Sequence, residues 1–211
     1  DPELAGRIES ILSKLPASTN VGIMVYDPLM RDTIFVKNHT QSMIPASNTK
    51  LFTTAVALDV LGNDFELRTT VYSNDRNFTN GVIDGNLYIK GYGNSLFTSG
   101  DLNAMADYIY ETGIRHIKGG VIGDDSYFDD IYTRDDWILD ENSTVKLPPV
   151  SALVIDRNRR QTRSGRRSYT VNIDNPPLYI AQQLRNRLIE KGIKVDAPAS
   201  KGITPQTVVE I

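Results

Sequence analysis

The first apolar rhythm along the chain is helical. Leu4, Ile8, Ile11, Leu12 and Leu15 in PELAGRIESILSKL recur every three or four positions, the spacing of one helix face. Pro2 suits a first turn and Pro16 ends the segment. VGIMVYD and DTIFVKN then read as two strands joined through Asp27-Pro28, which predicts a hairpin. Beyond Pro45, SNTKLFTTAVALDVLG puts Leu51, Phe52, Ala55, Val56, Leu58 and Leu61 around most of the helical wheel. A helix so apolar is expected to be buried, with Gly62 as its C-terminal stop.

From Phe65 the pattern changes. LRTTVYS, GNLYIKG and GGVIGDDS are short strand-like pieces punctuated by Asn, Asp and Gly. One helical segment lies among them, GDLNAMADYIYETGI, with Leu102, Met105, Ala106 and Ile109 at helical spacing. Residues 67–156 therefore read as a separate strand-rich α+β module. Next comes RNRRQTRSGRR, carrying Arg157, Arg159, Arg160, Arg163, Arg166 and Arg167, then a strand, SYTVNIDNPP. LYIAQQLRNRLIEKGI closes the pattern as an amphipathic helix with Leu178, Ala181, Leu184 and Leu188 on one stripe and Gly192 as its stop.

Bulk properties narrow the classes. The 211 residues suffice for one large domain or two small ones. A formal net charge of −3 argues against a wholly basic nucleic-acid-binding surface. No run approaches the 18 apolar residues of a membrane-spanning helix, and DPELAGRIES lacks the basic start and apolar core of a signal peptide. There is no cysteine, so disulfides and thiolate chemistry are excluded. The two histidines, His39 and His116, poorly supply a zinc site or a Ser-His-Asp triad and read as structural or exposed.

The candidate chemistry is Ser47 and Lys50, an S-x-x-K at the start of the apolar helix. A serine hydroxyl is a weak nucleophile until a base takes its proton. Lysine is such a base only when burial or a neighbouring cation destabilises its ammonium. Spacing of three on a helix puts both side chains on one face, and the helix start offers a positive dipole end to an oxyanion. The four letters alone are weak evidence, since roughly one S-x-x-K is expected by chance in a chain of this size. A second, Ser143–Lys146, precedes two prolines and cannot open a helix. From the residues alone, Ser47 reads equally as a nucleophile or as a helix N-cap.

Several segments in order carry a wider resemblance. PASNTKLFTTAVALDVLG, preceded by VGIMVYDPLMRDTIFVKN, resembles the first motif of penicillin-recognising serine enzymes. Together with LRTTVYS, GNLYIKGYGNSLFTSGDLNAMA, GIRHIKGGVIGDDSYFD, PPVSALVIDRN and NPPLYIAQQLRNRLIEKGIKV, it resembles the D-alanyl-D-alanine carboxypeptidase/endopeptidase family, the class C low-molecular-mass penicillin-binding proteins. Class A β-lactamases lack such an insert after the nucleophile helix. The resemblance implies an α/β (α+β) transpeptidase-like fold with an antiparallel sheet, interrupted by the inserted α+β domain. It assigns 1–66 to the first part of that domain, 67–156 to the insert, 157–167 to a basic linker where many relatives carry another module, and 168–211 to the return.

The resemblance also implies roles. Ser47 would be the acylated nucleophile and Lys50 its general base. The substrate would be the D-alanyl-D-alanine end, or a D-configured cross-link, of peptidoglycan stem peptides, and β-lactams would acylate the same serine. No metal, cofactor or nucleic acid is implied, and the protein would work outside the cytoplasmic membrane after removal of a signal peptide. Trp137 and Asp140 match a segment that approaches the active site from the insert, where an acidic residue reads a cationic stem-peptide side chain in some relatives; an ordinary acidic loop is the alternative. The arginine cluster reads as a solvated basic loop or as a contact with anionic wall polymer or lipid headgroups. Asp124-Asp125 reads as turn chemistry, because the residue order does not fit an EF-hand loop. The family's later S-x-N and K-T-G motifs are not found downstream of Ser47, so the chain is expected to be part of a longer enzyme and inactive alone. Another S-x-x-K hydrolase, such as a β-lactamase or esterase, and a non-catalytic peptidoglycan-binding module are the rival readings.

Overall fold

A computed structural model describes residues 2–75, 78, 80–133, 147–165 and 167–211. The chain divides into two compact units, Asp1–Phe65 and Glu66–Ile211.

In the first unit, α1 (Pro2–Leu12) precedes an antiparallel hairpin of β1 (Ile23–Asp27) and β2 (Asp32–Lys37). The Asp27 carboxylate makes the turn by accepting the backbone N–H groups of Leu29 at 2.8 Å and Met30 at 3.0 Å, the role short acidic side chains play in turns. A 3-10 turn, Ala46–Asn48, then leads into α2 (Thr49–Leu61). The expectation that α2 is buried is corrected. None of its residues is buried, and Leu51, Phe52, Val56 and Val60 are 71%, 69%, 61% and 71% exposed. The helix is as apolar as expected, but burial requires a covering layer. Within this unit α2 meets chiefly the turn before it, and a two-stranded hairpin is too narrow to cover a helix.

The second unit contains β3 (Thr69–Ser73), β4 (Val82–Ile83), β5 (Leu87–Gly91), α3 (Ser99–Glu111), β6 (His116–Ile117), β7 (Val121–Asp124), β8 (Arg159–Ser164), β9 (Arg167–Asn172), α4 (Pro176–Glu190), β10 (Lys194–Val195), β11 (Ser200–Lys201) and β12 (Val209–Glu210). A mixed sheet runs β11-β7-β5-β3-β12, with β5, β7 and β11 parallel and β3 antiparallel to its neighbours. A small parallel sheet runs β10-β6-β4. Helix α3 starts with a reciprocal capping box between Thr98 and Asp101, and α4 starts with Asn175 as cap and Pro176 in its first turn.

In the C-terminal third, α4 packs on β7 and against α3, and β10, β11 and β12 complete the second unit's sheets. The reason is the buried stripe of α4. Ile180, Leu184 and Leu188 are fully buried in one cluster with Leu87, Ile89, Leu102 and Ile117, and each such side chain stabilises by about 1.5–3 kcal/mol. Residues 159–164 form β8, which pairs antiparallel with β9 as a hairpin.

The helix comes unusually close to the sheet at Gly123. A Cβ there would lie 2.0 Å from the backbone carbonyl oxygen of Pro177 in α4. Neither atom belongs to a side chain that can swing away. Replacing Gly123 by Ala should therefore destabilise the second unit by about 2–3 kcal/mol or more; thermal denaturation checks this, and an unchanged midpoint would refute the constraint.

Candidate active site

Pro45 and the residue after it set up the turn that carries Ser47. Ala46 has φ +45°, in the left-handed region, a conformation that costs a non-glycine residue about 1–2 kcal/mol. The Asn48 N–H closes the turn on the Pro45 carbonyl at 2.9 Å. Ser47 thus sits inside the 3-10 turn; Asn48, not Ser47, holds the cap position of α2, and it makes no side-chain cap bond. The Ser47 hydroxyl instead accepts a hydrogen bond from Lys50 Nζ at 2.8 Å. This is the contact a proton relay needs. Both side chains are open to solvent, and both stand at the positive end of the α2 dipole.

The other sequence-derived residues do not join this pair. Trp137 and Asp140, and the second S-x-x-K at Ser143–Lys146, lie outside the described residues. His39 is exposed, and His116 Nε2 contacts the Asp196 carboxylate at 2.7 Å. No helix among the described residues is long and apolar enough to cross a membrane.

Asp124 and Asp125 form a separate polar network in the second unit. Asp124 is fully buried and accepts the N–H groups of Ser126 at 2.8 Å and Thr204 at 2.7 Å, with Lys90 Nζ at 3.0 Å. The first of these bonds is the turn chemistry expected of the pair. Burial works to raise its pKa, but the hydrogen bonds from Ser126 and Thr204 outweigh it and hold the carboxyl at about 2. Asp125 meets Lys201 at 3.2 Å, the Tyr132 hydroxyl at 2.6 Å and the Ser151 hydroxyl at 3.1 Å. Lys201 also accompanies Asp130 at 3.5 Å and lines a cavity of about 460 Å³ with Tyr132 and Phe128. Its charges are already matched to one another, so the network reads as a clamp between β7 and β11. Sequence gave no signal for it: Lys201 and Tyr132 are distant in the chain. Nor did it signal the left-handed Ala46, since nothing in alanine favours that conformation.

Comparison with known proteins agrees with the resemblance. The model of the D-Ala-D-Ala carboxypeptidase 3 (S13) family matches residues 4–191, and the chain belongs to that family. A D-alanyl-D-alanine carboxypeptidase of Actinomadura sp. (strain R39) is 31% identical over 159 residues, covering 75% of this chain and 29% of that protein. The D-alanyl-D-alanine carboxypeptidase DacB of Haemophilus influenzae is 29% identical over 151 residues, covering 72% of this chain and 31% of that protein. The chain thus spans under a third of these relatives. The crystal structure of penicillin binding protein 4 (dacB) from Haemophilus influenzae superposes with a TM-score of 0.74 at 21% identity, over 94% of this chain and 57% of that one. The same protein complexed with a β-lactam gives 0.66 at 19% identity, over 95% of this chain and 55% of that one. The expected fold class is borne out.

Asp124 yields a prediction with a definite sign. Its folded pKa of about 2 lies below the ordinary 3.8, so the stability it contributes is fully present above about pH 4 and is lost as pH falls towards 2. The depression corresponds to about 2 kcal/mol. Asp124→Asn should lower stability at pH 7 by about that amount and flatten the acid limb of a denaturation-versus-pH profile below pH 4. An Asn variant with the wild-type acid limb would remove Asp124 from that role.

Proposed function

We propose that this chain supplies the nucleophile of a serine-type D,D-peptidase acting on peptidoglycan stem peptides outside the cytoplasmic membrane. The observation that carries the reading is the 2.8 Å contact from Lys50 Nζ to Ser47 Oγ at the entry to α2, in a chain that belongs to the D-Ala-D-Ala carboxypeptidase 3 family. Lys50 in its neutral form takes the hydroxyl proton while Ser47 Oγ attacks the carbonyl carbon of the D-alanyl-D-alanine bond. The tetrahedral oxyanion forms near the helix start, where backbone N–H groups and the dipole favour negative charge. It collapses to an ester on Ser47, and the departing amine of D-alanine takes the proton held by Lys50. Water then hydrolyses the ester and frees the serine. A D-configured cross-link would react by the same steps with another stem peptide's amine as leaving group. A β-lactam would open its ring on Ser47, and its amine, still tethered, would remain beside the ester.

The test is acylation of the uninterrupted gene product by a labelled penicillin. Wild-type protein should be labelled at Ser47, and Ser47→Ala should not be labelled at all. Lys50→Ala should slow labelling by about 10²–10⁴-fold. Lack of labelling of the wild type would favour a non-catalytic module. An adduct that hydrolyses within seconds, in place of one that persists for hours, would favour a β-lactamase.

A further inference from the structure

Between Arg157 and Ile173 the sequence holds six arginines and no Asp or Glu, in a chain of net charge −3. The fold presents this run on a fixed base. Asp156, Arg157 and Asn158 have φ of +46°, +58° and +54°, three consecutive left-handed residues that must be held from outside. The Asp156 carboxylate accepts the Ser99 N–H at 3.1 Å. The buried Asn158 side-chain amide donates to the Pro149 carbonyl at 2.9 Å, and the Asn158 backbone carbonyl accepts the Ile173 N–H at 2.9 Å. Beyond this clamp the ribbon leaves the core. Every residue of β8 except Thr162 is exposed, as is β9 from Arg167 to Thr170, and Gly165 turns the chain with φ +59°.

Among the described residues, Arg157, Arg159, Arg160, Arg163 and Arg167 form no ion pair, whereas Lys90, Lys118, Lys191, Lys194 and Lys201 each meet a carboxylate. Across the ladder no arginine faces another: Arg159, Arg160, Arg163 and Arg167 stand opposite Asn172, Val171, Ser168 and Ser164. The register puts Arg159 and Arg163 on one face, and Arg160, Arg167 and Tyr169 on the other. Positions four apart along a strand are separated by about 13 Å.

We propose that the β8–β9 hairpin is a docking surface for a linear, phosphate-bearing polyanion. A guanidinium is a planar fork that binds two phosphate oxygens at once and cannot lose its charge at physiological pH. Arginines on both faces of a thin ribbon fit a flexible chain that can pass around it; a bilayer surface can meet only one face. The turn, Ser164, Gly165 and Arg167, also offers no large apolar side chain to enter a membrane. With Tyr169 as the one aromatic residue in the run, the ribbon lacks the successive stacking platforms that hold unpaired nucleobases. This surface is independent of Ser47.

The 211-residue chain is titrated with linear inorganic polyphosphate, with phosphatidylglycerol/phosphatidylcholine vesicles and with a single-stranded oligonucleotide, at matched phosphate and at 50 and 200 mM salt. Polyphosphate should bind most tightly, and more weakly at the higher salt. The triple variant Arg160→Gln, Arg163→Gln, Arg167→Gln should lose about tenfold or more in affinity, with an unchanged far-ultraviolet circular dichroism spectrum because these side chains lie outside the core. A charge-matched control, Lys14→Gln, Lys37→Gln, Lys118→Gln, should stay within about twofold, as should Ser47→Ala. No binding at 50 mM salt, equal losses in the two triple variants, or tighter binding of vesicles or oligonucleotide would each overturn the proposal.

Discussion

The second unit is organised around a backbone contact. The Pro177 carbonyl of α4 occupies the space a side chain at Gly123 would need, so helix and strand approach more closely than side-chain packing permits. From that approach follows the position of the helix's apolar stripe. Ile180, Leu184 and Leu188 reach the interior between the sheet and α3, and α3 supplies Leu102, Ala106 and Ile109 from the other side. The same strand delivers Asp124 immediately after the glycine. Its carboxylate collects N–H groups from the turn that follows and from residue 204. A buried carboxylate is costly without such partners. Here the partners tie the end of β7 to the chain beyond β11, so packing and polar satisfaction act on the same few residues.

What sequence could and could not convey follows from the range of each interaction. The stripes of α3 and α4 are periodic within one segment, and the burial of Leu102, Ala106, Ile109, Ala181, Leu184 and Leu188 was legible from spacing. The β1–β2 hairpin was legible for the same reason. The burial of α2 was not, because apolar composition says that a helix can be covered, not by what. The packing of α4 on β7 was not, because an amphipathic helix does not name the sheet on which it packs. Charge obscured the strand pattern of β8, whose ladder with β9 follows from the register, with Gln161 meeting Thr170 and Ser168 across the hairpin. For the site, S-x-x-K at a helix start was legible as a motif. The left-handed Ala46 that turns the chain before Ser47 had no sequence signature.

Lys50 shares its helix with residues the first unit leaves uncovered. Lys50 is followed directly by Leu51 and Phe52, both largely exposed. The apolar character that looks wasteful on a solvent-facing helix therefore stands directly beside the lysine proposed as the base.

The arginine hairpin obeys a different logic. Its exposed side chains do not hold the core together, so their charge is unconstrained by packing, and the register keeps each of the paired arginines from facing another across the ladder. Asn158 ties the base of the ribbon: its side-chain amide donates to the Pro149 carbonyl and its backbone carbonyl accepts the Ile173 N–H. Long-range attraction to a polyanion is screened over about 8 Å at physiological ionic strength, whereas proton transfer within a 2.8 Å contact hardly senses the salt. Ionic strength can therefore separate the two proposed activities: a condition that releases an anionic polymer from the hairpin leaves the geometry of Ser47 and Lys50 intact. Any loss of acylation that tracked salt would have to arise from delivery of the substrate and not from the chemistry at the serine.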